Sequence, residues 1–204
     1  MNFVIAAILG LTLPTGIASS GKSFEFTGEY VEGCSCMGIC PCELTGVAMG
    51  CEGVGAFHAS KASYNGMDIS GFKAAYALEP GKWVVLYIDA PDGKFDTASA
   101  FMKGALAAFG PVEAVKKAKI DISGNGGAFT ATVDGGNTMT LTTVPILGGD
   151  SKTPLVYNNI HDALHPTIMQ GKTIDCAYKD GDHSFSLKGS NAYFNDHIRS
   201  HGEF

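Results

Sequence analysis

The sequence predicts an α+β domain: a mainly antiparallel β-sheet with one amphipathic helix and a cysteine-rich loop near the N-terminus. Three observations carry this expectation. Apolar residues make up 45% of the 204 residues and charged residues only 17%, a balance that excludes wholesale disorder. The 27 glycines are spread along the chain with no Gly-X-Y period, as many turns between short strands require. Apolar residues alternate with period two in segment after segment and take helical spacing once. Strands that follow one another without intervening helices argue against β-α-β winding.

Taken in order, Phe24, Phe26, Gly28 and Tyr30 alternate with mostly polar residues, the mark of a half-buried strand. A cysteine-dense loop covers Cys34 to Cys51. Val54–Ala59, Phe72–Leu78 and Trp83–Asp89 read as strands, punctuated by Asn65-Gly66 and Pro80-Gly81 turns. Phe95, Ala98, Phe101, Met102, Ala105, Leu106 and Phe109 fall at i, i+3, i+4 spacing, one helix stopped by Gly110-Pro111. Lys117–Ile122 returns to strand. Phe129–Val133 and Met139–Leu141 flank Asp134-Gly-Gly-Asn137 as a hairpin. Thr173–Tyr178 and Ser184–Leu187 make a second hairpin through Asp180-Gly181, and Ala192–Phe194 reads as an edge strand before a polar, fraying tail. This length suits one domain able to bury its own core.

Residues 1–20 have a different character. Phe3 to Leu13 is a mostly apolar run, followed by Pro14 and the small residues Gly16, Ala18, Ser19 and Ser20. The run is too short to span a membrane and has the length of a signal-peptide core, although Met1-Asn2 brings no positive charge. Export to the periplasm or outside the cell is the expectation, with residues 21–204 as the mature domain. Net charge is −6 and Arg199 is the only arginine, so nucleic acid is excluded as an expected partner.

Five of the six cysteines lie between Cys34 and Cys51, spaced C-x-C-x3-C-x-C-x8-C. If each C-x-C is extended, its two thiols share a face and can grip one ion. Thiolates select Cu(I), zinc or iron–sulfur clusters. The habitual zinc spacing, C-x2–4-C, fits only Cys36 and Cys40. Met37 and Met49 add soft thioethers nearby. Two other readings stay open: structural disulfides, for which six cysteines allow 15 connectivities, and a redox pair formed by Cys36 and Cys40.

Gly28-Glu-Tyr-Val-Glu-Gly-Cys-Ser-Cys-Met-Gly-Ile-Cys-Pro-Cys42 resembles the opening signature of the bacterial domain of unknown function 1326 family. Further matches are Gly50-Cys51, Ala56-Phe-His58, Tyr64-Asn-Gly-Met-Asp-Ile-Ser-Gly71, Asn158, Asn159, His161 and His165-Pro166. The resemblance implies one compact domain and, through neighbours of its members, a metal-handling membrane protein as partner. It supplies no activity, and Cys176 has no counterpart in it. Cys36-Met-Gly-Ile-Cys40-Pro41 is also similar to the C-x3-C-P motif of the Sco copper chaperones, which add a distant histidine.

The histidines divide by context. His58 lies on a strand after Cys51, and the resemblance raises its standing as a ligand. His161 and His165 stand four apart, but Pro166 pushes His165 away from helix. His197 and His201 fall in the polar tail, and His183 in a hairpin. No G-x-S-x-G, P-loop, G-x-G-x-x-G or H-E-x-x-H occurs. The sequence thus points to an exported protein that binds, stores or delivers copper, with zinc as the alternative ion. Its expected ligands are Cys34, Cys36, Cys40, Cys42 and Cys51, with His58 and His161 as additions. The rivals are a thiol–disulfide oxidoreductase using Cys36 and Cys40, and a disulfide-stabilised interaction domain.

Overall fold

The computed structural model describes residues 21–47 and 50–204; the expected export signal at 1–20 and Met49 lie outside the described residues. The strands are β1 (Ser23–Cys34), β2 (Gly53–Tyr64), β3 (Met67–Asp68), β4 (Lys73–Glu79), β5 (Trp83–Asp89), β6 (Val112–Lys117), β7 (Ile120–Asn125), β8 (Ala128–Val133), β9 (Met139–Pro145), β10 (Val156–Asn158), β11 (Thr167–Asp180), β12 (His183–Leu187) and β13 (Asn191–Glu203). Two α-helices, α1 (Pro41–Thr45) and α2 (Phe95–Ala105), and two 3-10 turns, Ala107–Phe109 and Asp134–Gly136, complete the regular structure of the described residues. The strands form one curled mixed sheet in the order β6-β5-β4-β2-β1-β13-β11-β9-β8-β7, with β3, β10 and β12 attached at its sides.

The sheet curls so that its two halves face each other. Val31, Val54, Ala75, Val85 and Tyr87 from one half pack with Phe129, Ala131, Val133, Leu141 and Tyr178 from the other. The opposite face of the β1-β2-β4-β5 half carries Phe24, Phe26, Phe72 and Leu86, which meet Ala98, Phe101, Met102 and Leu106 of α2 and the turn after it. That half is therefore buried on both faces, which is why β4 and β5 read as nearly continuous apolar runs.

The mostly β domain with one long amphipathic helix matches the sequence expectation, and both hairpins form, Val133 opposite Met139 and Asp180 opposite His183. Four details differ. The sheet is mixed, because β6 runs parallel to β5; α2 and the turn behind it supply the crossover that a parallel pair needs. The single strand expected at Lys117–Ile122 is two strands, β6 and β7. A second helix, α1, sits inside the cysteine loop. Ala192–Phe194 belongs to no edge: β13 lies between β1 and β11, paired with β1 from Cys34–Asn191 to Ser23–Glu203. The polar tail with His197 and His201 is thus strand, and its backbone pairing substitutes for an apolar pattern.

Candidate metal centre

The site grows from the end of β1 that α2 leaves uncovered. Beyond the register shift between Gly28 and Tyr30, period two puts Tyr30, Glu32 and Cys34 on one side of the strand. Glu32 lies opposite Gly55 on β2, and Gly55 opposite Tyr76 on β4. A Cβ at Gly55 would sit 2.4 Å from the Tyr76 ring, so glycine there is what lets Tyr76 reach across β2. The Tyr30 and Tyr76 hydroxyls donate to Glu32 Oε2 at 2.7 and 3.1 Å. Burial pushes the Glu32 carboxyl up to about 7; the two tyrosine hydroxyls oppose the shift and Asp162 adds to it.

The cysteine loop folds over this face. Pro41 occupies the first turn of α1, where its missing N–H and fixed φ fit a helix start. Gly46 ends the helix at φ 72° and returns its N–H to Cys42 O. A side chain at Gly46 would collide with the His161 ring, 2.4 Å from the Cβ position. The loop is tied down by Cys40 N–H donating to Tyr193 Oη at 2.9 Å, Asn191 N–H to Cys36 O, and His161 N–H to Leu44 O. Cys34, Cys40 and Cys42 pack with Ile168 and Tyr193 in a small cluster of their own.

All five clustered sulfurs meet here. Cys36 and Cys51 form the one disulfide among the described residues, in place of the Cys36–Cys40 pair weighed from the sequence. Cys34, Cys40, Cys42 and Cys176 remain thiols. The Cys40 Sγ lies 3.3 Å from Cys36 Sγ. Cys34, Cys36 and Cys40 place their sulfurs within 4.8 Å of one another, and so do Cys36, Cys42 and Cys51. Two sulfurs sharing a tetrahedral ion at about 2.3 Å each stand about 3.8 Å apart, and both sets include Cys36, here a disulfide sulfur. Hydrogen bonding to Cys34, and then burial, push the Cys40 thiol far up. An adjoining cavity of about 20 Å³ has room for one water or one ion. Its walls include Glu32, Cys34, Cys40, Cys42, Glu43 and Tyr76.

The equivalence expected of the two C-x-C units does not hold: Cys34 ends a strand, whereas Cys42 turns into α1, so each reaches Cys36 from a different side. The two histidines expected as additional ligands do not join the sulfurs. His58 faces Glu29, Nδ1 to Oε1 3.1 Å, five residues along β2 from Gly53, about 17 Å at strand spacing. His161 is exposed at the end of α1. Met37 is 82% exposed. Cys176 is buried between the two half-sheets, with its thiol pushed up to about 12 by burial and Asp175.

Sequence reasoning missed the acidic floor of the site. Glu43 of α1 is buried beside Cys42, and burial followed by the charges of Glu32 and Asp162 raises its carboxyl well above the usual range. His165, from the loop between β10 and β11, is buried against Tyr30, ring centroids 4.2 Å apart. Burial lowers its affinity for a proton, against the pull of Asp162. The legible signal was the run Tyr30-x-Glu32-x-Cys34, which sets a carboxylate and a thiol on one strand face.

No family model matches the chain, and no curated protein matches it. Among solved structures the chain is similar to an acetoacetate decarboxylase at TM-score 0.44 and 11% identity, over 90% of this chain and 89% of that chain. It is also similar to acetoacetate decarboxylase from Legionella pneumophila at TM-score 0.42 and 8% identity, over 99% of this chain and 98% of that chain. At these scores neither likeness bears on the chemistry of the site.

Proposed function

We propose that the protein binds a soft metal ion, Cu(I) ahead of zinc, in the sulfur cluster, and stores or delivers it. The observation that carries this reading is that Cys36 is common to both sets of three sulfurs. With the Cys36–Cys51 disulfide reduced, that sulfur links two adjoining thiolate sites. Reduction takes two electrons and two protons from an external dithiol, which leaves as its own disulfide. Each thiol then loses its proton as the ion binds, so uptake weakens as pH falls. An all-sulfur donor set favours Cu(I). The ion-sized cavity beside the sulfurs supports binding of an ion there. Export, and a metal-handling membrane protein as partner, belong to the same proposal; they rest on the N-terminal sequence and on the resemblance to the domain of unknown function 1326 family.

The test is competition between the reduced protein and a Cu(I) chelator. Cys34→Ser combined with Cys42→Ser removes one sulfur from each set and should weaken uptake at least tenfold. Cys176→Ser should change it less than twofold, because that thiol lies between the half-sheets. Equal uptake by the double variant and the parent overturns the reading.

One observation favours a second reading. Cys40 Sγ, 3.3 Å from a disulfide sulfur, is placed for exchange, in which its thiolate attacks Cys36 and Cys51 leaves as thiolate. The thiolate is the nucleophile in such exchange, and the raised proton affinity of Cys40 opposes its formation. Slow reduction of disulfide substrates is therefore expected; rapid turnover abolished by Cys40→Ser alone would favour the oxidoreductase.

A further inference from the structure

We infer that Glu43, Asp162 and His165 form a second cation site, distinct from the sulfur cluster and suited to a borderline divalent ion, zinc before others. The inference stands independently of the copper reading. One ligand atom from each of the three residues lies within 4.8 Å of the other two. His165 Nδ1 and Glu43 Oε1 are 3.6 Å apart, too far for a hydrogen bond. Two donors on one tetrahedral zinc, each at about 2.1 Å, stand about 3.4 Å apart.

These two atoms have no hydrogen-bond partner, in side chains only 2% and 3% exposed. Buried polar atoms are nearly always paired, so a buried acceptor and a buried ring nitrogen aimed at each other point to a group that accepts both lone pairs. The third donor is Asp162. Its Oδ1 accepts the backbone N–H groups of Leu164 and His165 at 2.7 and 3.0 Å, which fixes the loop. Its Oδ2 lies 3.8 Å from His165 Nε2, on the other edge of the ring from Glu43, so the three-donor grouping rests on the 4.8 Å mutual separation. The imidazole is held in place by its stack on Tyr30 and its tilted contact with Phe57.

Charge points the same way. Glu43 and Asp162 both approach the imidazole, at 3.6 and 3.8 Å. Among the described residues no lysine or arginine forms an ion pair with either of them. A divalent cation balances that charge at its centre. One imidazole nitrogen and two carboxylate oxygens suit zinc, whereas Cu(I) prefers sulfur and Mg²⁺ or Ca²⁺ prefers oxygen alone. The two sites therefore sort ions by donor type, although Cys42 and Glu43 are adjacent in the chain.

Zinc binding by the full chain, measured by calorimetry, tests this, with Co²⁺ as the spectroscopic probe. Glu43→Gln and Asp162→Asn should each weaken zinc binding at least tenfold; Asn at 162 keeps an oxygen for the loop hydrogen bonds. Cys176→Ser, at a thiol outside both groups, should leave that binding within twofold. The Co²⁺ complex should show ligand-field bands without sulfur charge transfer, and zinc should raise the Tm of the parent but not of Glu43→Gln. Parent-like zinc binding in both carboxylate variants overturns the inference. So does zinc binding lost in Cys34→Ser with sulfur charge transfer in the Co²⁺ spectrum. Failure of Cu(I) uptake leaves these outcomes unaffected, so the two proposals fail separately.

Discussion

Along β1, the face carrying Phe24, Phe26, Tyr30, Glu32 and Cys34 is covered by two different structures. Over its first half lies α2, and the contact is aromatic: Phe101 stacks on Phe26 and meets Phe24, Tyr64 and Phe72 edge-on. Over its second half lie the cysteine loop and the loop before β11, and the contact is ionisable: three acidic groups, a histidine, two tyrosine hydroxyls and five sulfurs. The first half is complete as it stands, since hydrocarbon asks only for volume. The second half buries acids without cations and leaves a carboxylate oxygen and a ring nitrogen unpaired. A fold tolerates such a region where another component completes it, and that is the ground for proposing metal binding at this end of β1.

If the halves differ in this way, substitutions should separate stability from metal uptake. The largest effect belongs to Phe101→Ala, which empties a fully buried aromatic position and should cost about 3–5 kcal/mol in denaturant unfolding. Cu(I) stoichiometry below the melting transition should be retained; its loss would show that the halves are not separable. Gly55→Ala comes next, at about 1–3 kcal/mol, because its Cβ meets the Tyr76 ring and displaces the hydroxyl from Glu32. Here metal uptake should suffer as well.

The smallest effect belongs to Asp180, a carboxylate that does have a cation. Burial alone would raise its pKa, but Lys116 and the Tyr87 hydroxyl hold it below the usual value. It therefore adds stability at pH values above the unfolded carboxylate's own, and that contribution is lost as pH falls through the lowered folded value. Asp180→Asn should lower stability at pH 7 by about 1 kcal/mol, discounted for partial exposure, and by progressively less toward pH 3. A loss that does not shrink in acid would mean that Asp180 acts by shape and not by charge.

These regions were not equally legible in the sequence. The helix and the hairpins announce themselves because an apolar stripe or a Gly-rich turn is a local property. The cysteines were legible for the same reason: five of them fall between Cys34 and Cys51. Residues that meet only through the fold were not. His165 reaches the site because Asp162 bends its loop, and Glu43 because Pro41 starts a helix where the thiol spacing suggested an extended segment. In sequence β13 reads as an edge and a loose tail because its later residues are polar, while its neighbours on both sides supply the hydrogen bonds. His58 shows the converse error, a histidine near the cysteines in sequence that the strand carries away from them.

The central claim is that the Cys36 sulfur joins two thiolate sets into one soft-metal site. Cu(I) titration of the fully reduced protein against a chelator, with parent and Cys36→Ser compared at equal concentration, tests it most directly. The account predicts that the parent takes up Cu(I) in preference to zinc and that Cys36→Ser loses affinity at least tenfold, more than Cys34→Ser, Cys40→Ser, Cys42→Ser or Cys51→Ser. Uptake unchanged in Cys36→Ser, or no Cu(I) taken from a mild chelator by the reduced parent, would contradict it.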